Sequence, residues 1–180
     1  SMRSDCFGIS SVRRGVLALL AGMLLLPALP AFAQSETTKR IGIIGAGNIG
    51  GTLARKLSAA GHEVRVANSK GPDGVRAFAQ EIGATPVDIR GAVEGADLVI
   101  LSIPFPAVAT LPKDLFDGLP AATPIVDTGN YYPGLRDPQI AELDAGKTES
   151  VWVSEQIGRP IIKAFNNILA HSLAELGRPA

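Results

Sequence analysis

The run Ile41-Gly42-Ile43-Ile44-Gly45-Ala46-Gly47-Asn48-Ile49-Gly50 leaves few folds open to this chain. A short apolar strand leads without a break into Gly45-x-Gly47-x-x-Gly50, and a helical apolar stripe follows at Ile49, Leu53 and Leu57. Gly45 permits a tight turn, Gly47 lets backbone approach a pyrophosphate, and Gly50 lets helix and strand pack closely. A helix N-terminus placed after such a turn offers unpaired N–H groups and a positive dipole end to phosphate. Glycines alone are weak evidence, but a strand before them and a helix after them are the context the motif needs. The sequence therefore predicts a dinucleotide-binding strand–turn–helix.

What precedes this unit has a different character. Arg3, Arg13 and Arg14 stand ahead of a small-and-apolar run from Gly15 to Leu26. Pro27, Pro30 and the small-residue site Ala31-Phe32-Ala33 follow. A basic start, a short apolar core and an A-x-A exit predict a cleaved secretory signal over residues 1–33, with a periplasmic or secreted product. A membrane anchor is the other reading, but a span needs about 20 apolar residues and prolines close this run. The Arg13-Arg14 pair loosely fits a twin-arginine signal, although Val12 precedes it and an ordinary Sec signal stays open. Residues 34–39 read as a polar linker and 40–180 as one domain. The lone cysteine, Cys6, falls in the leader, so the mature chain is expected to hold no disulfide or thiol chemistry. With 17 basic against 17 acidic side chains, nothing suggests a nucleic-acid partner.

From residue 40 onward, strand and helix patterns alternate. Strands are predicted at Ile41–Gly45, His62–Asn68, Thr85–Val87, Asp97–Ile103, Thr123–Thr128 and Pro160–Ala164. Helices are predicted from Asn48, at Gly74–Ile82, at Asp88–Glu94, around Val108–Leu119 with a break at Pro112, and at Ile168–Leu176. Asn130–Arg159 reads as a long irregular loop of the kind that serves a ligand site. This alternation, with strands apolar throughout, predicts an α/β fold with a doubly wound parallel sheet, the Rossmann arrangement.

Coenzyme choice turns on the end of the second strand, where NAD-binding sheets carry an acid for the ribose hydroxyls. That place holds Asn68-Ser69-Lys70 instead. No carboxylate is there to repel a 2′-phosphate, while Ser69 offers a hydroxyl and Lys70 a charge, which favours NADP(H). The alternative is that Asn68-Ser69 caps a turn and Lys70 is merely solvated.

The remaining chemistry is sparse. His62 and His171 sit in a turn and on the last helix, away from the expected crevice. Lys163 interrupts an apolar strand and is expected to extend along the sheet to a carboxylate. Asp127 reads as a ligand contact or as a cap for the next loop. Tyr131, Tyr132 and Trp152 read equally as an aromatic slot or as packing for the irregular loop. No triad, paired carboxylates or metal set emerges. Hydride transfer between two bound cofactors needs mainly distance and orientation, so a sparse site suits it.

The segments IGIIGAGNIGGTLARKLSAAGHEVRVANSKGP, ADLVILSIPFP, IVDTGNYYP and IIKAFNNI resemble the NADPH-dependent F420 reductase-like proteins, bacterial relatives of archaeal F420:NADP oxidoreductase. The N-terminal half is also similar to the nucleotide domains of pyrroline-5-carboxylate reductase and the STEAP metalloreductases. The resemblance implies NADP(H) held by Gly45, Ala46, Gly47, Asn48, Ile49 and Gly50, with Asn68, Ser69 and Lys70 at the 2′-phosphate. It implies Ser102, Ile103 and Pro104 against the nicotinamide, Asn130 and Asn166 at the substrate pocket, and F420 or a flavin as co-substrate. It also implies elements beyond the KAFNNI segment, so 40–180 reads as C-terminally short. Slow turnover is expected unless a homodimer, formed through Ile168, Leu169, Leu173 and Leu176, supplies the missing wall. The other function considered is a non-catalytic NADP-binding module or regulatory subunit.

Overall fold

The computed structural model describes residues 37–176. The signal read over 1–33, the first half of the linker and the last four residues lie outside the described residues. Within them no helix is long and apolar enough to cross a membrane.

Six parallel strands form one sheet in the order β3-β2-β1-β4-β5-β6. They are β1 (Arg40–Ile44), β2 (Glu63–Ala67), β3 (Thr85–Pro86), β4 (Leu98–Leu101), β5 (Ile125–Asp127) and β6 (Ile162–Lys163). β1 pairs with β2 on one side, Ile43 opposite Val66, and with β4 on the other, Ile43 opposite Ile100. The chain winds outward from β1 in one direction and then from β4 in the other. The doubly wound fold is thus present, with its switch point between β1 and β4.

Side chains alternate across the sheet with a period of two. Ile41, Ile43, Val64, Val66 and Ile100 bury against α1 (Asn48–Ala59), α2 (Gly71–Ile82) and Leu173 of α6 (Ala170–Leu176). Ile44, Val99, Leu101 and Ile125 bury on the opposite face against α3 (Ile89–Val93), Phe105, Trp152 and Val153. Gly42 belongs to this second face. A Cβ there would overlap the Ala92 carbonyl oxygen of α3, so only glycine lets that helix lie so close. Arg65 anchors the same helix, donating from Nη1 to the carbonyls of Gly91 (2.9 Å) and Glu94 (2.7 Å). It is a structural residue, with its side chain only 16 % exposed.

Several element boundaries differ from expectation. α2 starts at Gly71 rather than Gly74, because Pro72 in the first turn lacks only an N–H that would be unpaired anyway. The helix expected around Val108–Leu119 is absent. Phe105–Thr110 forms a 3₁₀ helix, followed by tight turns such as Leu115 N–H to Pro112 O. Pro104, Pro106, Pro112 and Pro120 keep this stretch from an α-helix. The Asn130–Arg159 stretch is less irregular than expected, since it contains α4 (Ala141–Asp144) and α5 (Glu149–Ile157). α5 exists because Trp152, Val153 and Ile157 bury against the sheet, and Gly158 ends it in the left-handed region at φ 69°.

The aromatic residues separate into two places. Trp152 stacks on Phe105 at 5.0 Å and Tyr131 tilts against it at 5.6 Å, so both pack the loop. The Tyr131 hydroxyl accepts from Ile140 N–H at 2.6 Å, and Trp152 Nε1 donates to Glu142 at 3.1 Å. Tyr132 remains on the cavity side. The apolar stripe of the last segment also divides: Leu173 is buried, while Leu169 and Leu176 are exposed. Leu173 therefore belongs to the core rather than to an association face.

Candidate functional site

The carboxyl ends of β1 and β4 diverge at the switch point, where open α/β sheets place their ligands. Gly45 leaves β1 at φ 108°, a backbone region closed to most side chains. Its N–H donates to Ala67 O at 2.8 Å, and Ser102 N–H donates to Ile44 O at 2.8 Å, so both loops are tied to the sheet. α1 then begins at Asn48, with Gly47 at its N-cap and no side chain capping it. The first helical bond is Gly51 N–H to Gly47 O. The N–H groups of Asn48, Ile49 and Gly50 therefore have no partner inside the helix, and no acid occupies the first turn. Such an end attracts an anion.

Two cavities flank this turn. The first, about 530 Å³, is bordered by Ile44, Gly45, Ala46, Gly47, Asn68, Ser69, Ser102, Ile103 and Pro104, and closed by Ile89, Ala107 and Leu111. The second, about 560 Å³, is bordered by Gly47, Asn48, Ile49, Ser102, Ile103, Pro104, Asn130 and Asn166. Thr128, Tyr132, Arg136, Phe165 and Ile168 also line it. The sequence-predicted residues are thus brought together in two groups, with Gly47 and Ser102–Pro104 common to both. Two residues stand apart. Gly50 packs behind the turn, where a Cβ would overlap the Gly45 carbonyl and press on Ser102. Lys70 is exposed and borders neither cavity.

Asn68 caps its turn with both polar ends. Its Oδ1 accepts from Lys70 N–H at 2.9 Å, and its Nδ2 donates to Gly74 O at 3.1 Å. The turn-capping role is therefore realised, and Ser69 is presented to the cavity from a turn that Asn68 stabilises.

The floor of the second cavity rests on a buried ion network. Asp127, 2 % exposed, receives Lys163 Nζ at 2.9 Å through Oδ2 and Gly129 N–H at 2.9 Å through Oδ1. Lys163 also pairs with Glu149 at 3.0 Å, and Glu149 accepts from Tyr131 N–H. Lys163 thus reaches a carboxylate as expected, and Asp127 caps the loop that carries Thr128, Gly129 and Asn130. Asn130 Nδ2 donates to Asn166 O at 2.6 Å, joining that loop to the turn after β6. Thr128 Oγ1 lies 3.0 Å from Ser102 Oγ and joins it to the β4 loop.

Sequence reasoning did not single out Thr128, Phe165 or Arg136 as individual wall residues. Thr128 lies at the carboxyl end of β5, a position whose location alone is a signal. Phe165 has φ 63°, unusual for an aromatic residue, and no residue pattern announces it. Arg136 forms a fork with the buried carboxylate of Asp137, Nε to Oδ1 at 2.9 Å and Nη2 to Oδ2 at 3.0 Å. The Arg136 hydrogen bond holds the Asp137 carboxyl below the usual carboxylate range, despite the opposing cost of burial. The same bond raises the Arg136 guanidinium above its ordinary value.

The histidines differ from expectation in one respect. His62 accepts from Lys39 N–H in its turn, far from the crevice. His171 lies nearer than its sequence position suggests, sharing a third cleft with Gly47, Asn48 and Arg55. Among the described residues no group of His, Cys, Asp and Glu is placed to hold a metal.

The family model described as NADP oxidoreductase, coenzyme F420-dependent, matches residues 40–131. The chain belongs to that family. The F420-dependent NADP oxidoreductases are NAD(P)-dependent oxidoreductases, and membership implies that NADP(H) is the coenzyme. The chain is also similar to a hypothetical protein from Sinorhizobium meliloti, at 31 % identity and a TM-score of 0.59, covering 79 % of this chain and 68 % of that one. A putative F420-dependent NADP-reductase from Arthrobacter sp. FB24 shares the fold at 20 % identity and a TM-score of 0.58, covering 79 % and 69 %. 3-Hydroxyisobutyrate dehydrogenase from Mycobacterium tuberculosis shares it at 19 % identity and a TM-score of 0.51, covering 70 % of this chain and 39 % of that one. No curated protein matches the sequence. The family match takes in the glycine turn, the Asn68–Lys70 segment and the β4 loop, so it covers the whole border of the first cavity up to Pro112.

Proposed function

We propose that the chain transfers hydride between NADPH and a flavin or deazaflavin such as F420, with the coenzyme laid across the glycine turn. The adenosine end would occupy the cavity beside Asn68 and Ser69. The pyrophosphate would meet Gly47 and the unpaired amides of α1, and the nicotinamide would pass Ser102–Pro104 into the second cavity. The observation that supports the acceptor class best is the wall of that second cavity. It presents two partly exposed aromatic rings, Tyr132 and Phe165, beside amide, hydroxyl and apolar groups. A planar aromatic acceptor fits rings of this kind. His, Asp, Glu and Lys do not border it, and a wall that chiefly binds and orients suits transfer between two cofactors. The signal read over residues 1–33 adds the proposal that the protein acts in the periplasm or outside the cell.

Steady oxidation of NADPH, followed at the nicotinamide absorbance with F420, FMN, FAD and a ferric chelate in turn, tests this reading. We expect turnover with a flavin or F420 and none with the chelate alone. Inertness toward the whole panel would favour a nucleotide-binding module without catalysis.

Coenzyme choice is tested by two substitutions. Lys70→Ala removes an exposed charge from the 2′-phosphate side, and NADPH binding should weaken about 10-fold while NADH binding stays unchanged. Asn68→Asp loses the donor to Gly74 O and places a carboxylate by the ribose, so preference should move toward NADH. Equal affinity of the wild type for both coenzymes would sink this assignment.

A further inference from the structure

Arg136 is the only charged side chain on the wall of the second cavity among the described residues. Its setting is unusually fixed for an arginine that is half exposed. The guanidinium lies 4.9 Å from the centre of the Tyr132 ring. One edge is held by the Asp137 fork, and Nη2 donates again to Asn130 O at 2.7 Å. Asp137 is itself buried, 6 % exposed, and accepts from Tyr132 N–H at 2.8 Å. The short loop behind it is closed by Tyr132 O, which accepts the N–H groups of Leu135, Arg136 and Asp137. Nη1, by contrast, makes no hydrogen bond among the described residues. The result is a cation with one edge spent on fixing its orientation and one N–H₂ group unassigned.

This is more than a loop staple requires. The fork to Asp137 uses only Nε and Nη2, so Nη1 is not needed to hold the loop. A planar fork that stays charged, stacked on an aromatic ring beside a cavity, is suited to phosphate and carboxylate recognition. The side chain is also pre-ordered, so it loses little freedom when an anion arrives. We propose that Arg136 selects electron acceptors that carry an anionic group, a phosphate or carboxylate on the tail of the acceptor, and binds that group through Nη1. The inference rests on the oxidoreductase reading above and adds the class of acceptor to it. It commits to the acceptor as the source of the anion rather than the pyrophosphate of the coenzyme, which has the amides of α1.

The test compares FMN with riboflavin, whose rings are identical and which differ only in the 5′-phosphate. Protein saturated with NADP⁺ is titrated with each flavin, and binding is read from flavin fluorescence. FMN should bind about 10-fold or more tightly than riboflavin, the size of one charge-assisted contact. In Arg136→Gln combined with Asp137→Asn, which removes the charge without stranding a buried carboxylate, that ratio should fall to near one while NADP⁺ affinity stays unchanged. Equal binding of the two flavins by the wild type, or binding of neither, overturns the proposal. So does a double variant that keeps the preference, or one whose NADP⁺ affinity falls in the same proportion. The wild-type comparison needs no substitution and decides the matter if the double variant does not fold. Phosphate-selective binding without NADPH oxidation would uphold Arg136 and sink the reductase reading, whereas turnover with no phosphate preference would do the reverse.

Discussion

Gly47→Ala should leave the fold standing and remove most of the coenzyme affinity. A Cβ at Gly47 meets no atom within 4 Å, and its φ of −76° is open to alanine. The stability cost should be that of a poorer N-cap, about 0.5–1 kcal/mol. The space the methyl group enters, however, is the space between the two cavities, where the pyrophosphate is proposed to touch backbone. Displacing it from two or more charge-assisted contacts should weaken NADPH binding about 100-fold. Gly50→Ala gives the contrasting result. Its Cβ would overlap the Gly45 carbonyl and press on Ser102, so stability should fall by about 1–3 kcal/mol or more along with binding. Thermal melts and calorimetric titration with NADPH on both variants separate the two cases. Wild-type affinity in Gly47→Ala would remove the glycine turn from the coenzyme site.

Lys163→Met should cost about 3–5 kcal/mol of folding stability, because it strands a buried charge. The methionine fills the space of the lysine stem, so loss of packing is a minor part of the effect. What is lost is the ammonium between Asp127 and Glu149, whose side chains are 3 % and 34 % exposed. The two carboxylates would then share a site of low polarity with no counter-charge. Adding Asp127→Asn should recover a large part of the loss, since an asparagine oxygen still accepts from Gly129 N–H. Urea unfolding of the single and double variants measures this. A single variant within 1 kcal/mol of the wild type would show that the network contributes little.

How much of this was legible in the residues varies along the chain. The glycine turn and the inner strands could be read because strand, turn and helix each leave a local signature there. β1 and β4 are apolar at nearly every position because both of their faces are covered. Pro112 warned of a break, but not that a 3₁₀ helix at Phe105–Thr110 would replace an α-helix. α5 was missed because it is short, carries β-branched Val151 and Val153, and owes its helical state to Trp152 lying on Phe105. No window of sequence contains that contact. Among site residues, those tied to the turn were legible from spacing. Arg136 and Phe165 were not, since an Arg-Asp pair in a loop and an aromatic beside two asparagines have no fixed geometry until the sheet assembles them. The reach of Lys163 to Asp127 was legible in kind, as a lysine in an apolar strand must find a carboxylate. Its second partner, Glu149, comes from a helix the pattern did not show.

Gly47 and Ser102–Pro104 are walls of both cavities at once. A dinucleotide laid across that ridge would cover the ridge, and its nicotinamide ring would become the new floor of the second cavity. An acceptor that arrived first would find only part of its surroundings built and would stand in the way of the coenzyme. On the proposed placement, coenzyme would enter before acceptor, and spent acceptor would leave before spent coenzyme.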